Sequence, residues 1–114
     1  MSLIYKISPR TEWELAEREG VFTGSAKDRE DGFIHFSTAQ QVMETLTRHY
    51  AEADDLVLAA VDPEPLGPAL KYEPSRGGDL FPHLYASLPM ALVKWTKPIR
   101  RSADGAFILP RECV

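Results

Sequence analysis

The sequence predicts an α+β fold built on a largely antiparallel sheet, and three observations carry that prediction. Two helical signatures fall in the N-terminal half, several strand-like segments follow with short turns between them, and one of those strands is apolar on both faces. Strands joined so closely are mostly antiparallel, because a parallel pair needs a long crossover. The chain has 114 residues, 44% of them hydrophobic, which fits a single domain spanning residues 1–114 around one core.

Leu3-Ile4-Tyr5-Lys6-Ile7 is rich in β-branched and aromatic residues and reads as the first strand, ended by Ser8-Pro9. Thr11 and Glu14 have capping-box spacing, so a short helix is expected over residues 12–19, with Trp13 and Ala16 inward and Gly20 as its C-cap. Residues 23–31 read as a polar loop in which Lys27-Asp28-Arg29-Glu30-Asp31 is a solvated run of alternating charge. Gly32-Phe33-Ile34-His35-Phe36-Ser37 is a second strand. Thr38 and Gln41 again have capping-box spacing, and Ala39, Val42, Met43, Leu46, Tyr50 and Ala53 recur at steps of three and four. That periodicity predicts an amphipathic helix over residues 38–52 packed on the sheet.

Leu56-Val57-Leu58-Ala59-Ala60-Val61 is a continuous apolar run bounded by Asp54-Asp55 and Asp62-Pro63, the mark of a central strand buried on both faces. Leu70 to Glu73, Leu80 to Ala86 and Ala91 to Trp95 read as further strands, and Phe107-Ile108-Leu109 as a closing one. Within Ala91 to Trp95, Ala91, Val93 and Trp95 alternate with polar neighbours, the pattern of a half-buried strand.

Composition excludes several functions. The net charge is −4 with basic and acidic residues interspersed, which argues against a nucleic-acid partner. Small anionic ligands stay compatible, since one arginine, here Arg76, and a few backbone N–H groups can hold a phosphate. The single cysteine, Cys113, forms no intrachain disulfide. The N-terminal apolar stretch is too short for a signal peptide or a membrane span, so a cytoplasmic location is expected, as a monomer or weak homo-oligomer.

Two segments place polar, reactive groups inside apolar strands. In the first, alternation puts His35 and Ser37 on the face of Phe33, with Ile34 and Phe36 opposite. In the second, Phe81-Pro82-His83-Leu84-Tyr85, the face is shared by Phe81, His83 and Tyr85, and Pro82 suggests an edge strand that a ligand can approach. His49, near the end of the amphipathic helix, is read as an imidazolium at the negative end of the dipole. The sequence has no nucleophile elbow, glycine-rich phosphate loop or paired metal-ligand spacing. No metal site is therefore assigned. A metal-assisted hydrolase would require His35 and His83 to share an ion with Asp31 or Glu73.

Several segments taken together resemble a known family. These are Ile4-Tyr5-Lys6-Ile7 followed by Trp13, Asp31-Gly32-Phe33-Ile34-His35-Phe36-Ser37 with Gln41, and Glu73 with Phe81-Pro82-His83-Leu84-Tyr85. The chain is identified by them as similar to the domain-of-unknown-function 952 family over about Leu3 to Trp95. The resemblance implies a fold like that of the ADP-ribosyltransferases, whose strand His followed two residues later by Thr or Ser holds the ribose and nicotinamide amide of NAD. His35-Phe36-Ser37 matches that pattern. The resemblance also implies that His83 or Tyr85 stacks on nicotinamide, and that a glutamate late in the chain polarises the ribose hydroxyl. After Tyr85 the only acidic residues are Asp104 and Glu112, so the order differs here, and Glu73 would have to face the same cleft as a general base.

The expected function is thus that of a small-molecule nucleotide-binding domain. His35, His83 and Glu73 are its candidate catalytic residues, and Phe33, Ser37, Tyr85 and Arg76 its candidate ligand-binding residues. No cofactor is assigned, and NAD enters as a substrate that the resemblance implies. A non-catalytic binding or interaction module is the alternative. The two differ in whether a carboxylate comes within hydrogen-bond reach of the His35 cleft.

Overall fold

A computed structural model describes residues 2–113, apart from the Arg76 side chain. The first half of the chain runs β1 (Ile4–Pro9), α1 (Arg10–Glu19), β2 (Val21–Phe22), α2 (Ala26–Asp31), β3 (Ile34–His35) and α3 (Val42–His49). The second half is strands and short turns: β4 (Leu56–Val61), β5 (Leu70–Pro74), β6 (Leu80–Leu84), β7 (Leu88–Pro89), β8 (Val93–Pro98), β9 (Arg100–Arg101) and β10 (Phe107–Ile108). The fold is α+β, and every strand pairing described is antiparallel. No helix among the described residues is long and apolar enough to cross a membrane.

β4 organises the molecule. It lies between β1 and β8, and all six of its residues are buried. Val57, Ala59 and Val61 face a core shared with Trp13, Phe22 and Ile34, whereas Leu56, Leu58 and Ala60 face a second shared with Val42 and Leu46. A strand with a core on each side has no polar face to alternate with, which is why its sequence is a continuous apolar run. The second sheet, ordered β3-β6-β5, joins the first through a bridge between Tyr5 and Ser37, with N–H···O distances of 2.8 and 2.9 Å.

Four local expectations are corrected. The stretch 23–31 is not a loop, because α2 forms within it. Ser25 caps that helix by accepting the Asp28 N–H at 3.2 Å, and Asp28 Oδ2 accepts the Ser25 N–H at 2.9 Å. The second cap is Asp rather than the Glu or Gln usual in this motif, and it hides in a run of charges. α1 starts at Arg10 directly after Pro9 without a side-chain cap, so Thr11 plays no capping role. In α3 the helix itself begins only at Val42, preceded by a turn in which the Gln41 side chain accepts the Thr38 N–H, and Met43 points to solvent. Ala91 lies in a 3-10 turn, exposed, and β8 begins two residues later.

Pro82 is not on an edge either, since β6 is the middle strand of its sheet. The Phe36 N–H donates to the Pro82 carbonyl at 3.0 Å. The N–H and C=O of one strand residue point to the same side, so the donor that proline lacks would face β3 and the β5 ladder is untouched. β3 is only two residues long, and the sheet loses little there.

Candidate functional site

The register of β3 on β6 sets His35 directly opposite His83. Because the next pair, Phe36 and Pro82, is joined by a backbone hydrogen bond, His35 and His83 form the non-hydrogen-bonded pair, in which side chains approach most closely. Their ring centroids are 5.7 Å apart at 71°. Phe33, two residues before His35 and on the same face, fills the space above them. Its ring stacks on His83 at 4.0 Å and tilts against His35 at 4.7 Å and Tyr85 at 5.2 Å. Ile34 and Phe36 point the other way, into the core.

Each histidine has a carboxylate on Nδ1. For His83 it is Glu73 on β5, whose Oε1 accepts from the imidazole at 2.8 Å and from the Tyr85 hydroxyl at 2.7 Å. The Tyr85 hydrogen bond, then that of His83, pulls the Glu73 carboxyl below its ordinary range. The same bond pushes the Tyr85 phenol up. The Lys71 ammonium sits 5.4 Å from the Tyr85 ring centroid, and Lys71 is paired in register with His83.

For His35 the carboxylate is Asp28, from the capping box of α2, at 2.5 Å from Nδ1. Asp28 is 2% exposed and is held by donors on all sides. Oδ1 also accepts the His35 backbone N–H at 3.1 Å, and Oδ2 accepts the Ser25 N–H. Lys6, buried in the middle of β1, donates to both oxygens at 3.2 and 2.9 Å and to the His35 carbonyl at 3.1 Å. Burial by itself pushes the Asp28 carboxyl up, but His35, the Lys6 charge and Ser25 outweigh it and hold it well below the carboxylate range. Burial pushes the Lys6 ammonium down, against the pull of Asp28. Gly24 makes room for this arrangement: it is buried at φ +111°, and a Cβ there would lie 3.0 Å from Asp28 Cβ.

The far nitrogen of His35 meets a second carboxylate, with Nε2 2.9 Å from Asp31 Oδ2. A carboxylate only accepts, so both contacts are hydrogen bonds when both ring nitrogens carry hydrogen. Asp31 differs from Asp28 in being partly open to solvent, its other partner being exposed Lys27 at 3.6 Å.

Of the candidate residues, the structure brings together His35, His83, Glu73, Phe33 and Tyr85. Ser37 stands apart. Its hydroxyl meets Thr45 Oγ1 at 3.0 Å, and since Thr45 donates to the Gln41 carbonyl, Ser37 is the donor of that bond. Ser37 makes no described contact with either histidine. The Arg76 side chain lies outside the described residues. Sequence reasoning missed Lys6 and Asp28, which determine how His35 sits. A lysine inside an apolar strand was the available signal for the first. Among the described residues no group of three or more His, Cys, Asp or Glu is arranged to hold a metal ion.

Two surface depressions share no residue with this cluster: one includes Asp55, Ile99 and Phe107, the other Lys97, Arg100 and Ile108. The site is assigned by its chemistry rather than by concavity. Arg101 in the first depression is already engaged by the Ala51 and Ala53 carbonyls, and Lys97 in the second by Glu112.

A family described as protein of unknown function (DUF952) matches residues 7–96. The chain is similar to protein CC0527 from Caulobacter crescentus. In its X-ray structure that protein is 46% identical over 98% of each chain, with a TM-score of 0.92. Its solution NMR structure is 48% identical over 93% of this chain and 91% of that one, with a TM-score of 0.83. No protein of curated function matches the chain.

Proposed function

The chain belongs to the DUF952 family of proteins of unknown function, and from that premise we propose that it is a nucleotide-binding domain acting on NAD or an ADP-ribose-like ligand at the paired histidines. The observation that supports this reading most is the His35–His83 cross-strand pair, in which each imidazole is fixed through Nδ1 by a carboxylate. Fixing Nδ1 orients each ring and sets its tautomer, which general acid–base catalysis needs. Phe33 and Tyr85 offer aromatic faces for a base or a nicotinamide ring.

The reaction this proposal assigns is cleavage of the glycosidic bond to nicotinamide, within an ADP-ribosyltransferase-like fold. The C–N bond breaks toward an oxocarbenium-like transition state, nicotinamide leaves with the bonding pair, and water or another hydroxyl adds to the sugar carbon, giving up its proton to Glu73 as general base. Glu73, held ionised by its two donors, would stand beside the developing positive charge. It precedes His83 in the chain instead of following it, so the proposal rests on its place in space. Carboxylates reach both histidines, which favours an enzyme over a binding module that kept only the fold.

Titration calorimetry of NAD and ADP-ribose, with nicotinamide release followed chromatographically, tests the proposal. Wild type is expected to bind, and His83→Ala to bind about tenfold more weakly or worse, the scale of one hydrogen bond to a strongly polar ligand. Glu73→Gln should bind but release no nicotinamide. Failure of the wild type to bind either nucleotide would refute the proposal.

A further inference from the structure

The two carboxylates on His35 are unequal, and the inequality points to a ligand chemistry. Asp28 is sealed beneath the ring by Lys6, Ser25 and the His35 backbone, so nothing from solvent can replace it. Asp31 occupies the outer nitrogen from the end of a six-residue helix, immediately before Gly32 in the left-handed conformation. Its side chain is 29% exposed and that of His35 is 34% exposed, so the contact lies at the surface of the cluster. The carboxylate at this position meets the imidazole with one oxygen and the Lys27 ammonium, at 3.6 Å, with the other, an arrangement that would equally receive two oxygens of a phosphoryl group.

We infer that Asp31 is a built-in stand-in for an anionic ligand oxygen: a phosphoryl group of the ligand takes its place on His35 Nε2 and beside Lys27. The inference deepens the nucleotide reading and rests on it for the identity of the ligand, naming the diphosphate, in place of the ribose that the family resemblance implies, as the part that His35 receives. It also gives Asp31 a specificity role. A neutral ligand cannot match the carboxylate it must displace, whereas a phosphoryl oxygen replaces one charge with another.

Inorganic pyrophosphate is the probe, its affinity measured by titration calorimetry, with the ring 15N resonances of His35 followed in the two proteins that keep it. Three proteins are compared: wild type, Asp31→Asn, and Asp31→Asn combined with His35→Gln. Asparagine keeps the shape of Asp31 but removes its charge, and the position is at the surface, so folding is retained and His83 should resonate as in wild type. The expected result is about fivefold or greater tightening of pyrophosphate binding in Asp31→Asn, the scale of one partly exposed charge interaction. The gain should vanish in the double variant. Equal or weaker binding in Asp31→Asn, or a gain that survives the loss of His35, overturns the inference. ADP-ribose separates the two levels of the argument. If Asp31→Asn gains pyrophosphate while no protein binds ADP-ribose, the exchange at His35 stands and the nucleotide reading falls. If all bind ADP-ribose without a pyrophosphate gain, the exchange falls and the nucleotide reading stands.

Discussion

Replacing Asp28 by asparagine should unfold this protein far more readily than its position in a surface helix suggests. The carboxylate is buried and accepts from Lys6, from Ser25, and from both the backbone and the ring of His35. Asparagine keeps one acceptor but turns an NH2 group toward the donors that Oδ2 now receives. The buried Lys6 ammonium then loses its counter-charge, and stranding a buried charge in this way costs about 3–5 kcal/mol. For 114 residues each kcal/mol corresponds to about 4 °C of melting temperature, so a drop of roughly 12–20 °C is expected. Thermal melts followed by circular dichroism and urea titrations give the measurement. The mechanism makes a second demand: Lys6→Met in the Asp28→Asn background should recover most of the loss, because it removes the stranded charge. A loss below about 1 kcal/mol, or a double variant no more stable than Asp28→Asn, would show that Lys6 and Asp28 are not an obligatory pair.

Three further outcomes follow from the same structure. Asp28 titrates lower in the folded protein than in the unfolded chain, so its contribution is complete above the unfolded value near 4 and is lost as pH falls through the folded value; urea midpoints should therefore fall on acidification in wild type, and less steeply in Asp28→Asn. Tyr85→Phe removes the first donor to Glu73 and should raise the Glu73 titration midpoint toward that of an ordinary glutamate, read from carboxyl 13C shifts; an unchanged midpoint would leave His83 and Lys71 as the causes. Leu46→Ala empties a fully buried position between α3 and β4, and a loss of about 2–5 kcal/mol in chemical denaturation is expected, with His35 and His83 resonances unmoved.

What was legible in the sequence was whatever a local pattern encodes. The central place of β4 follows from six apolar residues between acidic and proline punctuation, and the inward face of α3 from the spacing of Val42 and Leu46. Polar residues in apolar strands marked His35 and His83. Of the Nδ1 partners, Glu73 entered only through the family resemblance, and Asp28 was not legible, because its role depends on residues brought in from elsewhere in the chain. Asp28 lies in a charge run that reads as solvated, and its burial is tolerable only because His35, Lys6, 22 residues away, and Ser25 converge on it. Ser37 illustrates the opposite case: alternation and the His-x-Ser resemblance both placed it with His35, but the bridge to Tyr5 draws it toward α3 and Thr45. Pro82 misled for a related reason, since a proline's cost to a sheet depends on which neighbour its missing donor would face.

The long reach of the strand pairings governs how the molecule comes to be folded. Ile4 is matched with Val61, and Ile34 with Leu84. During synthesis from the N-terminus, β1 waits for β4 to emerge and β3 for β6, so neither main sheet begins until half or more of the chain exists. Closing loops of that size before any pairing rewards them slows folding toward the millisecond-to-second range of sheet-rich domains. Until then the Lys6 side chain is solvated, and its ion pair with Asp28 forms only as the strands close over it. The histidine pair forms only when β3 meets β6. Its appearance in a refolding experiment, followed through the His83 ring, therefore reports the pairing of β3 with β6.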